Sequence, residues 1–196
     1  MVRLAKIVTF AYLAFTLAET SSAAERTVHI VAFGDSSTAG YLLTPSDAYP
    51  AQLQAKLRGK GYKVAIKNAG ISGDTTEGAL RRFASAIGRQ TEVAIVEFGT
   101  NDLHLGFPAE KMRANLDEIV RKLRRRSIEV LIIGFGTPLD FSDIARARGA
   151  LYTQWKLPPG QYRASDGVHY NAEGYSILVA QMLPGVEALL DRVAKK

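Results

Sequence analysis

Hydrophobic positions along this chain follow two periods in turn. Apolar runs of strand length occur at residues 28–33, 63–67, 92–98 and 128–135. Between them Leu53 and Leu57, then Leu80, Phe83, Ala84 and Ile87, then Met112, Leu116, Ile119, Val120 and Leu123 recur at helical spacing. Each of these sets marks one buried helix face. Strand-length runs alternating with helical segments predict an α/β fold with a central, mostly parallel sheet and helices on its faces. A last helix is predicted from about Asn171 to Val193, with Pro184-Gly185 expected to bend or break it. The stretch 137–165 is interrupted by proline and glycine and reads as a short helix plus loop.

With 196 residues and 47% apolar composition the chain can bury one full core. It contains no long linker, repeat or low-complexity tract, so a single domain over residues 25–196 is expected. Residues 1–24 differ in character. Arg3 and Lys6 precede the apolar stretch Ile7 to Leu17, and the small residues Ser21-Ser22-Ala23-Ala24 follow. That order describes a secretory signal peptide, and the apolar part is short for a membrane span. The expectation is cleavage after Ala23 or Ala24, a periplasmic or secreted protein, and no stable membrane anchor. The absence of cysteine excludes disulfides, thiol nucleophiles and thiolate metal sites. The net charge of +6 favours anionic surfaces or substrates modestly. The densest basic run, Arg121 to Arg126, reads as the last turn of a helix, where cations complement the macrodipole. It lacks interleaved aromatics, so no nucleic-acid partner is expected.

Chemistry-bearing residues collect where the predicted strands end. Ser36 follows the first run, Gly70 to Asp74 the second, and Gly99 to Asp102 the third. In open parallel sheets ligands sit beyond the carboxyl ends of the strands, so these motifs point to one composite site. A serine hydroxyl needs a base to take its proton as it attacks, and neutral imidazole is the usual one near neutrality. Of the three histidines only His169 has an aspartate, Asp166, three residues before it. That carboxylate could hold the ring tautomer and stabilise the imidazolium. The oxyanion of a tetrahedral intermediate needs fixed donors. The Ser36 N–H, an N–H in the turn Ser72-Gly73-Asp74 and the Asn101 amide are the candidates, and Gly73-Asp74-Thr75 also reads as an ordinary turn and helix cap. His29 reads as a packed strand residue, and His104 as a loop residue beside the site. Asp35 and Asp102 show no recognised metal-ligand spacing, and no Gly-x-Gly-x-x-Gly or Gly-Lys-Ser/Thr loop is present. Neither a metal nor another cofactor is expected.

Four blocks in order carry a family resemblance: Phe33-Gly34-Asp35-Ser36 with Ala39-Gly40-Tyr41, Asn68 to Thr75, Gly99-Thr100-Asn101-Asp102 with Gly106-Phe107, and Asp166-Gly167-Val168-His169. On these the chain resembles the GDSL esterases, or SGNH hydrolases. Within them it is most similar to the bacterial secreted thioesterase, arylesterase and lysophospholipase group. The resemblance implies a flavodoxin-like three-layer α/β/α fold. It also implies Ser36 as nucleophile, Asp166 and His169 completing a triad, and the Ser36 amide, Gly73 and Asn101 as oxyanion donors. In the resembling enzymes the loop after the oxyanion asparagine contacts the acyl chain, which nominates Leu105 and Phe107 for substrate contact or, equally, for the core. Ser37 and Tyr170 stand where the family commonly has leucine and often proline, and residues 137–165 look unlike the corresponding stretch. The expected function is a secreted serine esterase acting on small-molecule or lipid acyl esters or thioesters. Deacetylation of a carbohydrate or cell-envelope glycan, with Trp155 and Tyr152 as candidate sugar platforms, is the alternative. A non-catalytic binding module is the third.

Overall fold

The computed structural model describes residues 26–156 and 159–196. The segment read as a signal peptide, 1–24, lies outside the described residues. Strands β1 (Val28–Gly34), β2 (Val64–Gly70), β3 (Val93–Glu97), β4 (Glu129–Gly134) and β5 (Leu151–Gln154) form one sheet in the order β2-β1-β3-β4-β5, with every neighbouring pair parallel. The helices are α1 (Ser36–Ala39), α2 (Tyr49–Gly59), α3 (Thr76–Ala86), α4 (Thr100–His104), α5 (Ala109–Arg125), α6 (Ser142–Arg148) and α7 (Ala172–Ala194).

Alternation along the strands divides the core in two. Val31, Phe33, Ala94, Val96, Val130 and Ile132 pack under α3, α5 and α6. Their neighbours Ile30, Ala32, Val93, Ile95, Leu131 and Ile133 pack under α2 and α7. A strand turns successive side chains to opposite faces, so strands buried on both sides read as continuous apolar runs. The result is the three-layer α/β/α arrangement.

Two local features differ from the sequence reading. The stretch 137–165 contains α6 as expected, but also β5, which joins the sheet edge beside β4. Its sequence, Leu-Tyr-Thr-Gln, is too short and too polar to stand out as a strand. Helix α7 is unbroken through Pro184. An interior proline costs about 3 kcal/mol in helix propensity, while fully burying each of Met182, Val186 and Leu189 returns roughly 1.5–3 kcal/mol. Packing therefore outweighs the proline. The basic run does end a helix: Arg124 pairs with Glu129, and Arg126 donates to the carbonyls of Ile87 and Gly88.

The chain runs from β1 outward to β2 and then crosses to β3 on the other side of β1. The connections leaving β1 and β3 diverge at that point and open a crevice beyond their carboxyl ends.

Candidate active site

Ser36 stands at the crevice because β1 stops two residues before it, at Gly34. Asp35 leaves the strand at φ −98°, ψ −142°, and its Oδ1 accepts the Ser37 N–H at 2.9 Å, capping the four-residue α1. Gly34 makes the fold-back possible. A Cβ there would lie 2.0 Å from Thr38 Oγ1 and 2.8 Å from Glu97 Oε2.

His169 and Asp166 arrive from the other end of the chain, on the loop before α7. His169 Nε2 is 2.8 Å from Ser36 Oγ, and His169 Nδ1 is 2.5 Å from Asp166 Oδ2. An ionised carboxylate only accepts, so the ring proton sits on Nδ1 and Nε2 is left to accept from the serine hydroxyl. The other carboxylate oxygen, Oδ1, accepts the N–H groups of Val168 (2.9 Å) and His169 (3.0 Å). The hydrogen bond from His169, reinforced by these amides, holds Asp166 down to about 2. The Tyr41 ring lies 5.0 Å from the His169 ring, tilted by 54°.

Of the three donor candidates, Ser36 and Asn101 line the cleft and Gly73 does not. Gly73 has φ +78°, a conformation that glycine adopts without strain. The Asn101 amide enters from the first turn of α4, behind Gly99 at φ +118°, and donates to Asp35 Oδ2 at 3.1 Å and to the Asp74 carbonyl at 2.9 Å. The structure thus joins the turns after β1, β2 and β3 through one side chain.

Two residues of this assembly were not among the sequence candidates. Arg82, on α3, donates to Asp74 Oδ2 (2.6 Å) and to the carbonyls of Ala69 (2.7 Å) and Gly34 (2.9 Å), tying the ends of β1 and β2 to the Gly73 turn. Nothing in its helical sequence context marks it. Glu97 ends β3 and is fully buried. Its Oε2 accepts from Thr38 Oγ1 at 2.9 Å, and its buried Oε1 has no hydrogen-bond partner among the described residues. Burial drives both upward, Asp35 to about 6 and Glu97 well above its usual range. At Glu97 the nearby Asp35 charge adds to the rise. A glutamate closing an otherwise apolar strand was the available signal.

The cleft in front of Ser36 has a volume of about 390 Å³. Asn101 and His104 form one wall, Phe135 and Leu139 an apolar one, and Arg163, Val168 and Tyr170 flank His169. Leu105 and Phe107 are not part of this lining. Leu105 is 58% exposed, and Phe107 lies beneath the Lys111 ammonium. The sugar-platform expectation is also corrected. Trp155 is 1% exposed, edge-on to Tyr49 and Phe135 in the core, and the buried Tyr152 hydroxyl lies against Gly134. Tyr152 lies within edge strand β5 and Trp155 just past it, and these large aromatic bodies were drawn inward by the apolar area that they remove from water. Asp102 is buried and accepts from Thr76 N and Thr76 Oγ1, so it works as a helix tie. Among the described residues no group of three or more His, Asp or Glu side chains is arranged as a metal site.

Residues 32–177 match the model of the GDSL-like lipase/acylhydrolase family. The esterase TesA of Pseudomonas aeruginosa is 30% identical over 189 residues, covering 87% of this chain and 92% of that protein. The thioesterase 1/protease 1/lysophospholipase L1 of Escherichia coli K12 is 26% identical over 179 residues, covering 83% and 85%. The solved structure of AlinE4, an SGNH-hydrolase family esterase, superposes with a TM-score of 0.67 at 33% identity, covering 85% of this chain and 98% of that one. The chain belongs to the GDSL-like lipase/acylhydrolase family, and it is an ester hydrolase.

Proposed function

We propose that this protein is a secreted serine esterase that cleaves acyl esters or thioesters through an acyl-enzyme on Ser36. The observation that carries the reading is the continuous hydrogen-bonded chain from Ser36 Oγ through His169 to Asp166. As the hydroxyl oxygen attacks the substrate carbonyl carbon, His169 Nε2 takes its proton and the carbonyl π pair moves onto oxygen. The Ser36 and Gly73 N–H groups are donors for that oxyanion, joined by the Asn101 amide when one of its two N–H groups leaves Asp35 or the Asp74 carbonyl. Collapse expels the alkoxide or thiolate, which His169 protonates, and water repeats the sequence in reverse to free the acid. Asp166, held as a carboxylate, supports the imidazolium throughout. The apolar wall of Phe135, Leu139 and Val168 would take the acyl chain. Export rests on the basic-apolar-small order of residues 1–24.

The test is hydrolysis of a 4-nitrophenyl ester series of increasing acyl length by the protein lacking residues 1–24, with Ser36→Ala alongside. Loss of the nucleophile should lower the catalytic constant on the order of a million-fold. A serine-to-alanine variant of undiminished activity would overturn the mechanism, and acetate release confined to acetylated glycans would move the substrate class.

A further inference from the structure

Arg163 lines the Ser36 cleft but belongs to neither the serine-histidine-aspartate chain nor the donors for the oxyanion. A guanidinium keeps its charge at every working pH. Among the described residues no carboxylate forms an ion pair with it. The two acids closest to the chemistry are engaged elsewhere, Asp166 by His169 and two amides, Asp35 by Ser37 N–H and Asn101. The cleft therefore presents a positive charge without a counter-charge beside an apolar wall, where a charge pairs more strongly than in bulk water.

This charge is also held in place before any ligand arrives. The guanidinium carbon lies 4.1 Å from the centroid of the Tyr170 ring, and one Nη donates to the Val168 carbonyl. Arg163 and Tyr170 face each other across a short antiparallel bridge, and Tyr170 is itself anchored in the core under α2 and α7. Anchoring the loop uses one ring face and one donor, while a guanidinium carries five N–H groups in a fixed fork that matches carboxylate and phosphate oxygens. A side chain ordered in advance loses little entropy when it binds.

We propose that Arg163 is a specificity-determining residue that binds an anionic oxygen group, carboxylate or phosphate, carried by the ester close to its scissile carbonyl. The inference rests on the esterase reading above and narrows its substrate class to anionic esters. The anion belongs either to the acyl part or to the alcohol part, and two matched substrate pairs separate these sources. The first pair is the 4-nitrophenyl ester of adipic acid with its second carboxyl free, against the same ester with that carboxyl methylated. The second is butyrylglycerol phosphate against butyrylglycerol.

The quantity read is the ratio of kcat/KM for the anionic member over the neutral one, in the wild type, Arg163→Gln and Arg163→Lys. In one pair the ratio should fall about 10- to 100-fold in the glutamine variant, the size of a charge-assisted hydrogen bond. The lysine variant should keep part of it, and the wild-type ratio should decline with added salt. The responding pair identifies which part of the substrate carries the anion. A ratio unchanged in both pairs, including the case where both members slow equally because the loop has lost its anchor, overturns the proposal. So does a wild type that fails to turn over either anionic ester. Fluorophosphonate labelling of Ser36, run in parallel, shows whether the esterase reading falls with it.

Discussion

Glu97 lies one strand away from Ser36, fully buried, where burial and then the Asp35 charge push it well above the usual carboxylate range. Asp35 in turn accepts from Asn101 and Ser37. Both groups bind protons more tightly folded than unfolded. Their contribution to stability is therefore full below the ordinary carboxylate range and is lost as pH rises, through about 6 for Asp35 and beyond for Glu97. Acids held low, such as Asp166, Asp117 and Glu129, act in the opposite sense and only at more acidic pH. Between about pH 5 and 8 the pair should govern the slope. Melting temperature is expected to fall as pH rises across that window, and Glu97→Gln, which can accept from Thr38 without ionising, should flatten the fall. Equal slopes in the two proteins would show that Glu97 holds no proton in that window. At this scale short motifs marked Ser36, Gly73 and Asn101 as candidates just past strand ends, and Asp166 and His169 as candidates on the loop before α7. Glu97 and Arg82 were hidden, because their partners lie 59 or 62 and 13 or 48 positions away in the chain.

Asp102 ties helices α3, α4 and α5 at one point. It accepts from Thr76 N at 3.0 Å and Thr76 Oγ1 at 2.5 Å, and Thr76 Oγ1 also accepts from Asn115 Nδ2 at 3.1 Å. An acidic side chain at the start of α3 also complements the helix dipole. Asp102→Ala would leave a buried N–H and hydroxyl without their acceptor, at a cost of about 3 kcal/mol. For a chain of this size that corresponds to roughly 6–12 °C in melting temperature, which calorimetry would resolve. A change within about 2 °C would remove the tie from the account. Because Asn101 precedes Asp102 on the same short helix, kcat should fall as well. The elements themselves were legible wherever periodicity ran long enough, as in β1, β3, β4 and α5. They were not legible in β5, whose four residues become a strand only because β4 offers them a parallel edge. Nor was the continuity of α7 through Pro184, since local propensity and tertiary packing oppose each other there.

Among the described residues one five-stranded sheet has both faces covered, and the chain's only tryptophan, Trp155, sits in the layer under α2 and α7. If residues 25–196 form a single cooperative unit, Trp155 fluorescence and far-ultraviolet circular dichroism should report one coincident urea transition. Two separated transitions would count against it. Among the described residues no helix is long and apolar enough to cross a membrane. The sequence by itself determined the alternation of strands and helices, the parallel sheet and the residue types of an acyl-transfer site. Hydrophobic period and strand-end motifs are local, and local patterns survive in a linear string. Tertiary structure alone decided that Ser36 meets a histidine 133 positions away, that Trp155 is core, that Leu105 and Phe107 stand outside the cleft, and that Arg163 stands inside it. Those outcomes depend on which surfaces close against one another when the sheet is covered, and no neighbour in sequence carries that information.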